Sequence, residues 1–161
     1  MIRSAVAKDA DAICGIYNHY VENSIITFEE TPVPAPEMAV RMEEIAADSL
    51  PWLVAEADGA VVGYAHAGKW KSRCAYRFAV ETTIYVAPGA CGTGIGTRLY
   101  QELLGQLRQT DMHVAIGGVA LPNDASVRLH EKLGFRKVAE FFEVGFKFGR
   151  RINVAYWEVK L

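Results

Sequence analysis

The chain has 161 residues, enough to bury a substantial core and to fit one domain. Its apolar share of 51% and charged share of 22% are those of an ordinary globular enzyme, with no low-complexity stretch, repeat or linker to mark a second domain. A net charge of -2 gives no electrostatic footprint for nucleic acid or an anionic membrane, and no apolar run reaches the length of a membrane span.

Residues 2–6 read as a short strand. From Asp9 to Val21, Ile13, Ile16, Tyr17 and Tyr20 recur at helical spacing. Ser24 to Phe28 is β-branched and reads as extended. Pro32, Pro34 and Pro36 interrupt the chain, and Pro36-Glu37 suits the first turn of a helix that runs to about Ala47. Trp52 to Ala57 and Val61 to Ala67 form a predicted hairpin across Asp58-Gly59. A longer strand is expected over Tyr76 to Val86, a helix over Gly94 to Gln109, and a strand over His113 to Ala120. A further helix, Asn123 to Leu133, is closed by Gly134, and strands over Phe135 to Phe146 and Asn153 to Leu161 complete the chain. The order β-α-α-β-β-β-α-β-α-β-β predicts an α+β sheet with helices on its faces, not a regular βαβ repeat.

The opening residues Met1 to Val6 lack the apolar core of a signal peptide. Cys14, Cys74 and Cys91 are odd in number and show no Cys-x-x-Cys spacing, so free thiols in a reducing cytoplasm are expected. His19, His66, His113 and His130 show no ligand spacing with them, and no metal is expected.

The richest segment is Val80 to Tyr100, an alternating strand followed by a glycine-rich loop and an amphipathic helix. Gly92, Gly94 and Gly96 let the chain turn sharply and present backbone N–H groups. The helix that follows adds its own unpaired N–H groups and the positive end of its dipole. This is an anion site, with pyrophosphate as its usual occupant. A phosphate-binding Walker A loop would end in Gly-Lys-Ser/Thr, but here the chain reads Gly96-Thr97-Arg98. A dinucleotide fingerprint needs Gly-x-Gly-x-x-Gly in a first βα unit, but this loop is Gly-x-Gly-x-Gly, lies mid-chain and follows a meander.

Tyr85-Val-Ala-Pro88 followed by Cys91-Gly-Thr-Gly-Ile-Gly96 resembles the acetyl-CoA loop of the GNAT family of N-acetyltransferases, whose pattern is Arg/Gln-x-x-Gly-x-Gly/Ala. Leu121 to Phe135 resembles the strand–helix unit that follows it in that family. A narrower resemblance covers almost the whole chain. Tyr17-Asn-His-Tyr20, Pro51 to Glu56, Trp70-Lys71, Val80-Glu81, Leu121-Pro-Asn-Asp124, His130-Glu131 and Gly145 to Gly149 look like the branch acting on phosphinothricin, methionine sulfoximine and methionine sulfone. The resemblance implies a mixed, mostly antiparallel sheet of about seven strands with helices on both faces and a splayed cofactor cleft. It also implies acetyl-CoA as cofactor, a small amino-acid analogue as acceptor, and a homodimer. Cys91 departs from the family's Arg/Gln, and Arg98 would compensate; His130 stands where the wider family often has tyrosine.

Acetyl transfer to an amine needs a neutral nucleophile, a base, stabilisation of the thioester oxygen and departure of a thiolate. Glu81 shares a strand face with Thr83 and Tyr85. It reads as an edge-exposed or ion-paired glutamate or as the base, and the resemblance implies the base. Main-chain groups of Ile84, Tyr85 and Val86 are expected to meet pantetheine and the thioester oxygen, which requires the strand to part from its neighbour. The phosphates would lie on Cys91, Gly92, Thr93, Gly94, Ile95, Gly96 and Thr97. Asn123 reads equally as a helix N-cap and as a pantetheine contact, with Ser126 beside it. His130 reads as a satisfied polar residue or as an acid for the leaving sulfur.

On the acceptor side, Arg73, Tyr76 and Arg77 would hold the acceptor's acidic groups, with Phe28 and Glu29 as a wall and Lys147 contributing within the chain or across a dimer contact. Other readings are the same chemistry on a protein N-terminus or a polyamine, a non-catalytic CoA sensor, and a nucleotide-binding module. The basic cluster at residues 69–77 disfavours a polyamine, and the missing phosphate lysine and ribose-binding acid disfavour a nucleotide.

Overall fold

Turn residues set the elements of the chain. Asp58 and Gly59 both take positive φ (51° and 77°), which a tight two-residue hairpin of matching twist requires. Phe148 and Gly149 do the same (51° and 72°). Pro36 sits in the first turn of its helix, where its missing N–H removes no bond. The computed structural model describes residues 1–161. Its order is β1 (Ile2–Ser4), α1 (Ala10–Asn23), α2 (Ala35–Ala47), β2 (Trp52–Ala57), β3 (Ala60–Lys69), β4 (Ala79–Val86), α3 (Ile95–Leu107), β5 (Val114–Ala120), α4 (Asp124–Lys132), β6 (Arg136–Lys147) and β7 (Arg150–Lys160).

The expected element order holds, with three differences. Ser24 to Phe28 forms no strand; it crosses the sheet as a loop. The long strand starts at Ala79, because Cys74–Tyr76 closes a 3-10 turn first. The last strand starts at Arg150, because the turn before it needs only two residues.

The seven strands form one sheet in the order β1-β2-β3-β4-β5-β7-β6. Every neighbouring pair is antiparallel except β4 and β5. Helices cover both faces. On one, α3 presents Leu99, Leu103 and Leu107, each fully buried, to Ala65, Val80, Ala115 and Trp157. Each such leucine contributes roughly 1.5–3 kcal/mol of burial. On the other face, Ile13, Tyr17 and Val21 of α1 and Met38 of α2 pack on Trp52, Val54 and Tyr64.

The parallel pair positions the site. Its pairing covers only Ala79–Glu81 against Val114–Ile116. Beyond that, Thr82–Val86 and Gly117–Ala120 diverge, and β4 keeps its partner on the β3 side alone. The cleft expected between these strands is this divergence.

Candidate active site

Two connected hollows occupy the divergence. One is a groove of about 470 Å³ along the end of β4, the glycine loop and α4. The other is a cavity of about 370 Å³ around Glu81. They share Ile26, Ile84, Tyr85, Asn123 and Ser126, so they form one continuous space.

The groove is shaped for an anionic ligand. Gly92 and Gly94 have φ of 79° and 82°, in the left-handed region where a side chain would strain the backbone. Gly94 caps α3, and the first intrahelical bond runs from the Arg98 N–H to the Gly94 carbonyl at 3.2 Å. The N–H groups of Ile95, Gly96 and Thr97 precede it and have no acceptor within the helix. Gly96 lies over Val86, with room for a Cβ only at contact distance, 3.5 Å from Val86 Cγ2.

Of the loop residues named from sequence, Cys91, Gly92, Gly94, Gly96 and Thr97 line the groove. Two do not. Thr93 turns its hydroxyl back to donate to the Ala90 carbonyl at 2.7 Å, and the Ile95 side chain enters the core beside Leu99. Arg98 does not reach the groove either; it borders a separate hollow with Met1 and Glu56. The cations that do line it are Arg128 and Lys132, one turn apart on α4. Their i,i+4 spacing, flanking Leu129, was the signal available in the sequence. Tyr20, also missed, lines the groove and donates its hydroxyl to the Val86 carbonyl at 2.5 Å.

In the cavity, Glu81 is half-buried, and its carboxylate has no hydrogen-bond or ion-pair partner within the chain. Burial raises its pKa above the usual carboxylate value, and the charge of Lys71 partly opposes the rise. Thr83, Tyr85, Phe28 and Tyr156 line the same cavity. Asn123 caps α4, with Oδ1 accepting the Ser126 N–H at 3.1 Å. The cap leaves Asn123 Nδ2 without a partner within the chain, and the residue lines both hollows, so the two readings of it are compatible.

His130 corrects an expectation. It is 3% exposed and lines neither hollow. Its Nδ1–H donates to the Ser126 carbonyl at 2.8 Å, and Nε2 faces the Tyr100 hydroxyl at 3.1 Å, which in turn lies 2.5 Å from Thr82 Oγ1. Burial lowers its pKa. It is a buried core histidine whose two ring nitrogens both have partners within the chain.

Several acceptor-side residues also stand elsewhere. Glu29 is held by both guanidinium nitrogens of Arg41 and by the Tyr17 hydroxyl, and Arg41 keeps its pKa low. Arg73, Tyr76 and Arg77 lie outside the cavity: Arg73 leads into the 3-10 turn, Tyr76 is exposed, and Arg77 donates to the Cys74 carbonyl. Lys147 is 2% exposed and donates to the Thr27 carbonyl at 2.8 Å, so its ammonium anchors the 24–28 loop. Phe28, by contrast, does wall the cavity, with its ring over Gly145.

Three comparisons accord with this geometry. The chain is 41% identical to a phosphinothricin N-acetyltransferase of Streptomyces coelicolor, covering 98% of this chain and 94% of the relative. It is 36% identical to an L-methionine sulfoximine/L-methionine sulfone acetyltransferase of Salmonella typhimurium, covering 99% and 94%. A crystal structure of a phosphinothricin acetyltransferase of Sinorhizobium meliloti in complex with AcCoA superposes with a TM-score of 0.97 at 39% identity, covering 100% of this chain and 88% of that one. The family model described as "Acetyltransferase (GNAT) family" matches residues 14–135. On the fold, the divergent β4–β5 pair, the glycine loop and these matches, the chain belongs to the GNAT acetyltransferase family.

Proposed function

We propose that this acyltransferase moves an acetyl group from acetyl-CoA directly to the α-amine of a small amino-acid analogue, of the phosphinothricin, methionine sulfoximine or methionine sulfone type. The observation that carries the reading is Glu81: an unpartnered, half-buried carboxylate in the cavity that continues the phosphate-binding groove. The names of the relatives support the acceptor class.

Acetyl-CoA supplies the activated acetyl thioester. The N–H groups of Gly96 and Thr97, with Arg128 and Lys132, suit its phosphates, and Asn123 Nδ2 suits the amide-bearing arm. An α-amine has a pKa near 8 in model peptides, so a base must take its proton before or during attack. Glu81 accepts that proton directly or through one water. Burial raises its pKa, which makes the carboxylate a stronger base. A thiol of ordinary pKa, about 8.5, leaves as the thiolate, so the reading needs no acid at His130.

We further propose that residues 1–161 act as one domain and that the protein is a cytoplasmic homodimer. The free thiols Cys14, Cys74 and Cys91 support the compartment, and the exposed aromatic face of β6 supports the dimer.

The test is release of free thiol from acetyl-CoA over a panel of phosphinothricin, methionine sulfoximine, methionine sulfone, ordinary amino acids, spermidine and a ribosomal N-terminal peptide. Turnover of the first three by wild type, reduced on Glu81→Gln, is the expected result. Turnover confined to the peptide would move the reading to protein N-termini. CoA binding without turnover of any amine would replace the enzyme by a sensor.

A further inference from the structure

We propose that Tyr100 is a positioning residue for acetyl transfer: its hydroxyl takes the one proton of the Thr82 hydroxyl and so keeps β4 from closing onto β5 beside Glu81. This rests on the reading of Glu81 as the base. Thr82 follows Glu81, the last residue of β4 that pairs with β5. Its side chain leaves the opposite face of the strand, toward α3, and is buried there with Tyr100. Two oxygens compete for its hydroxyl proton. Tyr100 Oη lies 2.5 Å from Thr82 Oγ1, and the carbonyl of Ile116, the last residue of β5 that pairs with β4, lies 3.3 Å away. An O–H···O bond is normally about 2.5–3.0 Å long, so Tyr100 holds the better place.

The direction of the hydrogen bonds follows from the far end of the chain they form. The Ser126 carbonyl can only accept, so His130 Nδ1, 2.8 Å from it, carries a proton. Burial holds His130 below its ordinary pKa, so the ring is neutral at pH 7 and Nε2 is bare. Burial also keeps the Tyr100 phenol protonated, and from 3.1 Å it donates to Nε2. Its only proton is then spent, and Tyr100 Oη meets Thr82 as an acceptor. Thr82 therefore donates to Tyr100, and its proton is withheld from Ile116. Without the Tyr100 hydroxyl, that proton turns to the Ile116 carbonyl. A bond of normal length there draws the strands together by roughly half an ångström. The shift falls one residue from Glu81, at the closed end of the cleft, where misplacement of a reacting group lowers the rate.

The test is steady-state kinetics on the amine that wild type turns over fastest, with Tyr100→Phe, Thr82→Val and the two combined. Phe135 stacks on the Tyr100 ring at 5.5 Å, a contact that phenylalanine keeps, and valine keeps the shape of threonine. Tyr100→Phe is expected to lower kcat about tenfold and to leave acetyl-CoA affinity within about twofold. Thr82→Val removes the competing proton and is expected to stay within about threefold of wild type. The double variant should recover the kcat of Thr82→Val, whereas Tyr100→Phe combined with Thr82→Ser should stay slow, because serine keeps the proton. A hydrogen-bond chain that only cements the core predicts the reverse: a double variant at least as slow as either single one, a result that would overturn the proposal. A cooperative melt and acetyl-CoA binding show that each variant folds. Crystal structures of wild type and Tyr100→Phe give a readout that needs no turnover. In the variant, Thr82 Oγ1 is expected at about 2.8 Å from the Ile116 carbonyl. A separation unchanged from 3.3 Å would also overturn the proposal. If wild type turns over no amine, the acceptor reading fails, and the same distance still tests the hold of Tyr100 on the strands.

Discussion

Glu81 and His130 sit on flanking elements of the same cleft, and their surroundings are opposite. Glu81 faces a cavity with no partner, while His130 has both ring nitrogens engaged in the core. Glu81→Gln removes the base and keeps the shape. It is expected to lower kcat by about 10²–10⁴-fold near neutral pH, with CoA affinity unchanged. For wild type, kcat/KM should rise with pH as Glu81 ionises, through a value above the usual carboxylate pKa. The same shift fixes the sign on stability. The folded-state pKa is raised, so Glu81's contribution is most favourable when it is protonated, below its unfolded pKa. That contribution is lost as pH rises through the folded value. Glu81→Gln should therefore melt at a higher temperature than wild type at pH 7, with the gap closing toward pH 4. Thermal melts at the two pH values check this; an equal or lower melting temperature at pH 7 would show that the carboxylate is not desolvated. Glu81 stood out in the sequence because a lone carboxylate in an apolar strand needs a partner or a task, and the family resemblance implied the task of a base. His130 stayed open between two readings in the sequence because position in a helix does not tell which neighbours take its nitrogens.

At the level of elements, the parting of β4 from β5 depends on small residues where the strands and α4 meet. Gly117 follows the last residue of β5 that pairs with β4, and the His130 ring lies directly over it. A Cβ at Gly117 would come within 2.3 Å of His130 Nε2. Gly117→Ala should therefore destabilise by roughly 1–3 kcal/mol, because the ring cannot move without breaking its bonds to Ser126 and Tyr100. Denaturant unfolding measures this, and pairing the change with His130→Ala should recover much of the loss. Lys147 is a second such connection, since β6 holds the 24–28 loop, and with it Phe28, through the bond to the Thr27 carbonyl. Lys147→Met should release that loop and raise KM for the amine several-fold, with little effect on CoA affinity. Element order and type were legible because Gly, Pro and Asp-Gly signals punctuate strong periodic segments. The cations proved harder. Lys147, Arg73 and Arg77 share a charge, yet one is buried on a carbonyl and the others lie outside the cavity. Arg128 and Lys132 face the groove only because α4 turns that side inward. Such choices depend on tertiary packing that no local pattern encodes.

Over the whole molecule, the surface is uneven. β6 is an edge strand, and Phe141, Phe142, Val144 and Phe146 are each more than half exposed along it. Val138 and Phe148 extend the row. An edge strand carrying a contiguous apolar row is a surface that isolated soluble proteins avoid. Between Phe141 and Gly145 its register slips, with Glu143 at a φ of 55° and its N–H held by Asn153 Oδ1. This bulge interrupts regular pairing while leaving the aromatic side chains outward. Phe141 and Val144 also line the Glu81 cavity, so whatever covers the row borders the place where the amine is expected to sit. A second copy of the chain satisfies both conditions. Phe142, 72% exposed and outside the cavity lining, is the position to change. Phe142→Glu should leave the circular dichroism spectrum unchanged and move the mass measured by light scattering at micromolar concentration from two chains to one. The melting temperature of wild type should rise with protein concentration, and that of the variant should not. If the variant keeps acetyl-CoA affinity but loses affinity for the amine, the partner completes the acceptor cavity. A wild-type protein that is monomeric at all concentrations would instead leave the row uncovered, and the dimer reading would fail with it.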